Sequence, residues 1–409
     1  MSIRERTWET KGVTKSAYVV DYYAQTGKRH IKTFAKKKEA LAFEAKTRIE
    51  VNGKVHVADS QTVTVAEAAK YWLSACTDLE RSTVTQYTQH VNLHIVPFVG
   101  KKKLNEISIP AIRTFLDRLK VEPCPPDYPS KRMRGKPRSA ALVRAVRVSL
   151  GALLSDAQER GLVVQNAVKD LGRKKGKGKA QAAARHKEQV QVGVDIPLTA
   201  EARAILAAAK GKSRVFLMTA ILTGMRASEL RGLRWTDLDL GKAMVTIRQR
   251  ADAYHEIGSP KSKKGRRKIP LPADLVKALK EWQKDCPAGA LGLVFPSGTG
   301  KIEFYANITK RWFYPAQLAA SVVTDTGEKD AKGNPVLEPK YSGLHALRHF
   351  YASWLINRPE DGGLGLPPKI VQERMGHSSI QVTLDIYSHL FPTGDDAGAM
   401  DNAAAALLA

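Results

Sequence analysis

The chain has 409 residues, with 66 Lys and Arg against 40 Asp and Glu, a formal charge of +26 and a pI near 9.9. That length favours two or three domains over one core, and the positive surplus favours a polyanionic partner such as nucleic acid. Three dispersed cysteines argue against a disulfide scaffold or zinc module, and neither a membrane span nor a signal peptide is legible, so a reducing, cytosolic setting is expected.

Residues 1–58 read as a small basic module, with thirteen Lys and Arg against six acids. Ser16–Tyr23 is rich in β-branched and aromatic residues, 25–28 is a turn, and Arg29–Phe34 can return as a second strand. Lys36 to Asn52 has helical composition.

Residues 64–171 read as all-helical. Thr64 and Glu67 form a capping-box pattern, Arg81–His90 starts a second helix, and Leu104–Leu119 holds a third. Residues 131–147 carry seven Lys and Arg and no acid, and Arg138, Arg144 and Arg147 are candidate phosphate contacts there. A solvated basic face is the alternative reading of the same residues.

Residues 172–195 form a basic linker, rich in Gly and Lys up to residue 189. Residues 196–392 form the largest unit, mixed but mainly helical. Val215–Leu222 predicts a buried helix stopping at Gly224; Met244–Arg250 alternates at strand period, with Arg267–Leu271 as its hairpin partner. Residues 324–340 read as a surface loop, and 393–409 as an Ala-rich tail of helical propensity. The fold class expected is therefore multidomain and mainly α with small β elements.

The chemistry-bearing residues cluster late. The chain reads Thr223-Gly224-Met225-Arg226, with Glu229 three residues on, then His345-Ala346-Leu347-Arg348, Gly376-His377 and Tyr387. Attack on a phosphodiester needs charge neutralised on the non-bridging oxygens, a proton removed from the nucleophile and a proton given to the leaving oxygen. Arginine serves the first need without metal, because its planar fork matches phosphate oxygens and stays charged. His345 and Arg348 lie one helical turn apart and share a face. No acidic cluster for two-metal catalysis is legible, so no cofactor is expected.

In order and separation these boxes resemble those of the tyrosine recombinases, and within them the phage-type integrases. The resemblance covers about Thr64 to Pro392 and is sharpest from Thr223 onward. It implies an arm-type DNA-binding domain over 1–58, a helical core-binding (SAM-like) domain over 64–171 and a catalytic domain over 196–392, the two halves joined as a clamp on DNA. It implies that Tyr387 attacks the scissile phosphate to leave a 3′-phosphotyrosyl link, with His345 as the expected acceptor of its proton. Arg226 and Arg348 would clamp the phosphate, His377 would donate to a non-bridging oxygen, and Glu229 would support Arg226. The general acid would be a lysine of the basic turn at 260–267. Lys261 is the first choice and Lys263 a competitor, with Lys263 and Arg266 also candidate DNA contacts. Implied partners are double-stranded DNA attachment sites, a homotetramer on DNA, a directionality factor of excisionase type and a host DNA-bending protein. The implied setting is the nucleoid of a bacterial host. Two rival readings are a type IB topoisomerase-like enzyme and a non-catalytic architectural DNA-binding protein.

Overall fold

The computed structural model describes residues 1–10, 13–23, 27–53, 58, 62–171, 190–260, 262–391, 401 and 404–408. It is mainly helical with small sheets, and it divides into two compact units, Met1–Ala180 and Gln181–Ala409. Among the described residues, no helix is long and apolar enough to cross a membrane.

The first unit begins with an antiparallel sheet of β1 (Ser2–Thr10), β2 (Val13–Tyr23) and β3 (Arg29–Phe34). Alternation along β2 points Val20 and Tyr22 inward, where they pack with Ala40 of the helix Lys37–Asn52. Phe34 and Phe43 close that small core, with ring centroids 5.1 Å apart.

The all-helical part of this unit starts where the capping box predicts. Thr64 Oγ1 accepts from the Glu67 amide at 3.2 Å, and Glu67 Oε2 accepts from the Thr64 amide at 2.8 Å. Arg81–His90 is helical as expected. The third helix, however, runs Ile109–Val121, not from Leu104, because Ser108 caps it and Pro110 fits its first turn. The long helix Ala140–Glu159 buries Val146, Leu150, Leu153 and Leu154 against Ile95, Ile112 and Leu119.

In the second unit the helix Gly211–Thr223 is buried chiefly in its second half, through Phe216, Leu217, Ala220 and Ile221. Beside it β4 (Leu238–Asp239), β5 (Met244–Ile247) and β8 (Arg267–Pro270) form a sheet, with Ile247 opposite Arg267. The expected strand from Met244 thus stops at Ile247. Its continuation is a separate ladder of β6 (Arg250–Ala251) and β7 (Ile257–Gly258). Residues 324–340 are not an irregular loop. They lie mostly in an antiparallel hairpin of β9 (Val323–Lys329) and β10 (Pro335–Pro339), whose strands are largely exposed on both faces and so lack the apolar alternation of a half-buried strand. Three of the unit's later helices carry or lead into the site: His345–Ile356, Pro368–Met375 and Ile380–Tyr387. The linker residues 172–189 lie outside the described residues, and of the tail only 401 and 404–408 are described, as helical.

Candidate active site

Two left-handed glycines place the polar groups. Gly224 ends the helix Gly211–Thr223 at φ +57°, and a Cβ there would sit 2.2 Å from Tyr351 Cδ1, so only glycine fits the turn. Arg226 follows at once, preceding the short helix Ala227–Arg231. Gly376 ends Pro368–Met375 at φ +64°, packed against Arg267, and delivers His377.

Arg226, Arg267 and Arg348 gather around one carboxylate. Glu229 Oε1 accepts from Arg226 Nη1 at 2.8 Å and Arg267 Nη1 at 3.1 Å; Oε2 accepts from Arg267 Nη2 and from the Arg226 amide, each at 2.9 Å. Burial works against the charge on Glu229, but Arg267, Arg226 and Arg348 outweigh it and hold the carboxyl at about 2. Arg348, from the His345 helix, is buried and donates Nη1 to Gly224 O at 2.6 Å and Nη2 to Met375 O. Burial, together with Arg226 and Arg267, lowers it to about 9, still charged at neutral pH. Three guanidiniums against one carboxylate leave two surplus positive charges, and Arg226, with 36 % of its side chain exposed, opens that charge to solvent.

The nucleophile candidate lies beside them. Tyr387 is 1 % exposed at the end of Ile380–Tyr387, and its ring runs nearly parallel to His377, with an interplanar angle of 10° and centroids 6.3 Å apart. His377 Nδ1 meets Thr383 Oγ1 at 2.9 Å, and its carbonyl accepts from Gln372 Nε2. Burial first, then Arg348 and Arg226, hold His377 at about 3. Burial pushes the Tyr387 hydroxyl above the ordinary phenol range, with Arg348 pulling the other way.

His345 was the expected acceptor of the Tyr387 proton. The Tyr387 hydroxyl instead meets His349 Nδ1 at 2.7 Å, and the exposed His345 ring stands edge-on to His349 with centroids 4.5 Å apart. His345 is held below the ordinary histidine range by desolvation against the site and by Arg348 and Arg226.

The structure therefore brings together Arg226, Glu229, His345, Arg348, His377 and Tyr387. Sequence reasoning missed Arg267, His349 and Thr383. Lys261 lies outside the described residues, Lys263 opens the 3-10 turn Lys263–Gly265, and Arg266 is exposed beside it.

In the first unit Arg144 and Arg147 are exposed on the helix Ala140–Glu159. Arg138, expected beside them as a phosphate contact, is 6 % exposed and points inward. Its Nε donates to His94 Nδ1 at 3.0 Å and its Nη1 to Glu122 O at 2.7 Å, while His94 Nε2 meets Tyr128 Oη at 3.1 Å. A guanidinium committed to that network is a structural group, not a free phosphate ligand.

Residues 198–393 match the phage integrase family, and residues 64–120 match the N-terminal SAM-like domain of phage integrases. The chain belongs to the tyrosine recombinase family. It is 29 % identical over 212 residues to a XerC-like tyrosine recombinase of Caldanaerobacter subterraneus subsp. tengcongensis, covering 47 % of this chain and 49 % of that protein. It is 26 % identical over 342 residues to an integrase of Streptomyces ambofaciens, covering 79 % of this chain and 76 % of the relative. The chain thus spans about half the length of several curated relatives it matches, and three quarters of the Streptomyces protein. In fold it is similar to the Tn1549 transposon integrase in complex with transposon right end DNA. The TM-score is 0.59 at 18 % identity, covering 83 % of this chain and 98 % of that one.

Proposed function

We propose that the chain is a site-specific DNA recombinase that integrates a mobile element by cutting and rejoining DNA through a 3′-phosphotyrosyl link, without metal or ATP. The observation that carries this reading is the surplus of two positive charges at Arg226, Arg267 and Arg348, beside the hydroxyl-bearing Tyr387. A scissile phosphate entering there is neutralised by Arg226 and Arg348, whose remaining N–H groups face charge that grows in the transition state. In the tautomer in which Thr383 Oγ1 donates to His377 Nδ1, the ring's hydrogen sits on Nε2, free for a non-bridging oxygen. His345, exposed on the face it shares with Arg348, bonds a second oxygen. Lys261, or Lys263 in its place, protonates the departing 5′-oxygen. The phosphotyrosine conserves the bond energy, so religation to a new 5′-hydroxyl needs no nucleotide.

Under the same proposal, residues 1–58 bind arm-type sites, 64–171 bind core sites, and 196–392 carry the chemistry. Two duplexes cut on both strands require four nucleophiles, hence a homotetramer on DNA. A directionality factor and a host DNA-bending protein fit this scheme. A type IB topoisomerase would use similar chemistry, but the match of 64–120 to the integrase SAM-like domain favours the recombinase. The test is covalent capture on a nicked duplex carrying a site recovered by binding selection from random duplexes. Wild type should form a protease-sensitive adduct and Tyr387→Phe none. DNA binding without an adduct would point to the architectural alternative.

A further inference from the structure

We propose that His349 takes the proton of Tyr387 as the tyrosine attacks, an inference that rests on the recombinase reading above. Four facts of geometry support it. His349 Nδ1 lies 2.7 Å from Tyr387 Oη, within the range of direct proton transfer. Tyr387 is nearly fully buried, so bulk water does not compete for its hydroxyl. His345 stands edge-on to His349, and among the described residues it is His349, not His345, that bonds the hydroxyl. His349 sits immediately after Arg348, so the group that takes the proton and a group that grips the phosphate share one rigid helix.

The groups that face His349 explain how the base stays idle off substrate. His345 and Arg348 act on it from its own helix, Tyr387 from the helix Ile380–Tyr387, and Asp195 from the segment before Thr199–Ala208. Burial, His345 and Arg348 hold the imidazole at about 4, with Asp195 acting in the opposite sense. His349 is therefore neutral at rest, and in the tautomer with its hydrogen on Nε2 its Nδ1 accepts from the Tyr387 O–H. A phosphodiester bound at Arg226 and Arg348 adds negative charge that offsets the effect of Arg348 and raises the proton affinity of His349. The base is thus switched on by its substrate. In the step itself the Oη–P bond forms and the P–O5′ bond breaks. The proton on Oη passes to His349 Nδ1, and O5′ takes one from the general acid. Religation reverses each transfer.

The experiment uses the full chain and two nicked duplexes of the selected site, one normal and one with a bridging 5′-phosphorothiolate, whose thiolate leaves without protonation. Cleavage rates are followed against pH for wild type, Tyr387→Phe and His349→Gln, with DNA binding checked on native gels. His349→Asn stands in if the Gln variant does not bind. The expected result is a loss of about 100-fold or more on both substrates, recovering as pH rises and hydroxide replaces the imidazole. Wild-type rates on either substrate would overturn the proposal. So would a loss that pH does not recover, because that marks a structural role. If wild type captures no DNA at all, the recombinase reading fails first, and the two failures are told apart.

Discussion

Arg267 and Glu229 meet through two hydrogen bonds, of 3.1 and 2.9 Å, with both side chains almost fully buried. Arg267 also donates Nε to Arg374 O at 2.7 Å and Nη1 to Gly265 O at 3.1 Å, so one guanidinium ties β8 to the Arg226 helix and to the end of Pro368–Met375. Removing it would leave Glu229 with less compensation for its burial. Arg267→Met should cost about 3–5 kcal/mol, the usual penalty for breaking a buried pair. Arg267→Lys should recover only part of that, because an ammonium cannot reproduce the fork. Denaturant unfolding of the three proteins measures both.

Glu229 makes the pH dependence of stability readable. Its folded value near 2 lies below the ordinary carboxylate value, so the unfolded chain binds more protons between roughly pH 2 and 4.5. Its contribution is fully present above that window and is lost as pH falls through it. Glu229→Gln should be less stable at neutral pH and should show a flatter slope from pH 5 downward. Thermal melts of both proteins across pH 3–7 give the comparison. Equal slopes would mean that the carboxylate is not held by the arginines.

Gly224→Ala should be costly for two separate reasons. The left-handed backbone costs a residue with a Cβ about 1–2 kcal/mol, and that Cβ would lie inside contact distance of Tyr351. The same turn leads into Arg226 and offers its carbonyl to Arg348. The variant should therefore lose both melting temperature and covalent capture, with a smaller effect on DNA binding.

Arg138 and the pair Arg144 and Arg147 should separate stability from affinity. Arg138→Ala should destabilise by about 1.5–3 kcal/mol, as for loss of a buried charged hydrogen-bond donor. It should leave the salt dependence of DNA binding unchanged. Arg144→Ala with Arg147→Ala should do the opposite, with little change in unfolding. If both contact phosphate, the log–log salt slope should be shallower by roughly 0.9 per contact. An unchanged slope would mean that this face is merely solvated.

What was legible in the sequence were the residues whose type and spacing carry chemistry. Arg226, His345, Arg348, His377 and Tyr387 are brought together because two glycines turn the chain at Gly224 and Gly376. Arg267 was hidden at the end of the basic turn at 260–267, where a lysine was sought as the general acid. Its signal was the alternation of β8, which turns Arg267 and Ile269 inward while Lys268 stays exposed. His349 was hidden behind Arg348, although its spacing of four from His345 already placed both rings on one helix face. Arg138 looked like a phosphate ligand by composition. Only the packing of His94 and Tyr128 around it shows that its charge is spent inside the unit. The 323–339 hairpin escaped notice because exposure on both faces erases the apolar alternation that marks a strand.

The central claim, that Tyr387 becomes covalently joined to a DNA 3′-phosphate, is tested most directly by mass spectrometry of the trapped adduct. The protein captured on a nicked duplex would be trimmed with nuclease and protease, and the peptide containing Tyr387 sequenced. The account predicts a 3′-nucleotide mass on Tyr387 alone, absent from Tyr387→Phe. A nucleotide on any other residue, or attachment through a 5′-phosphate, would contradict it.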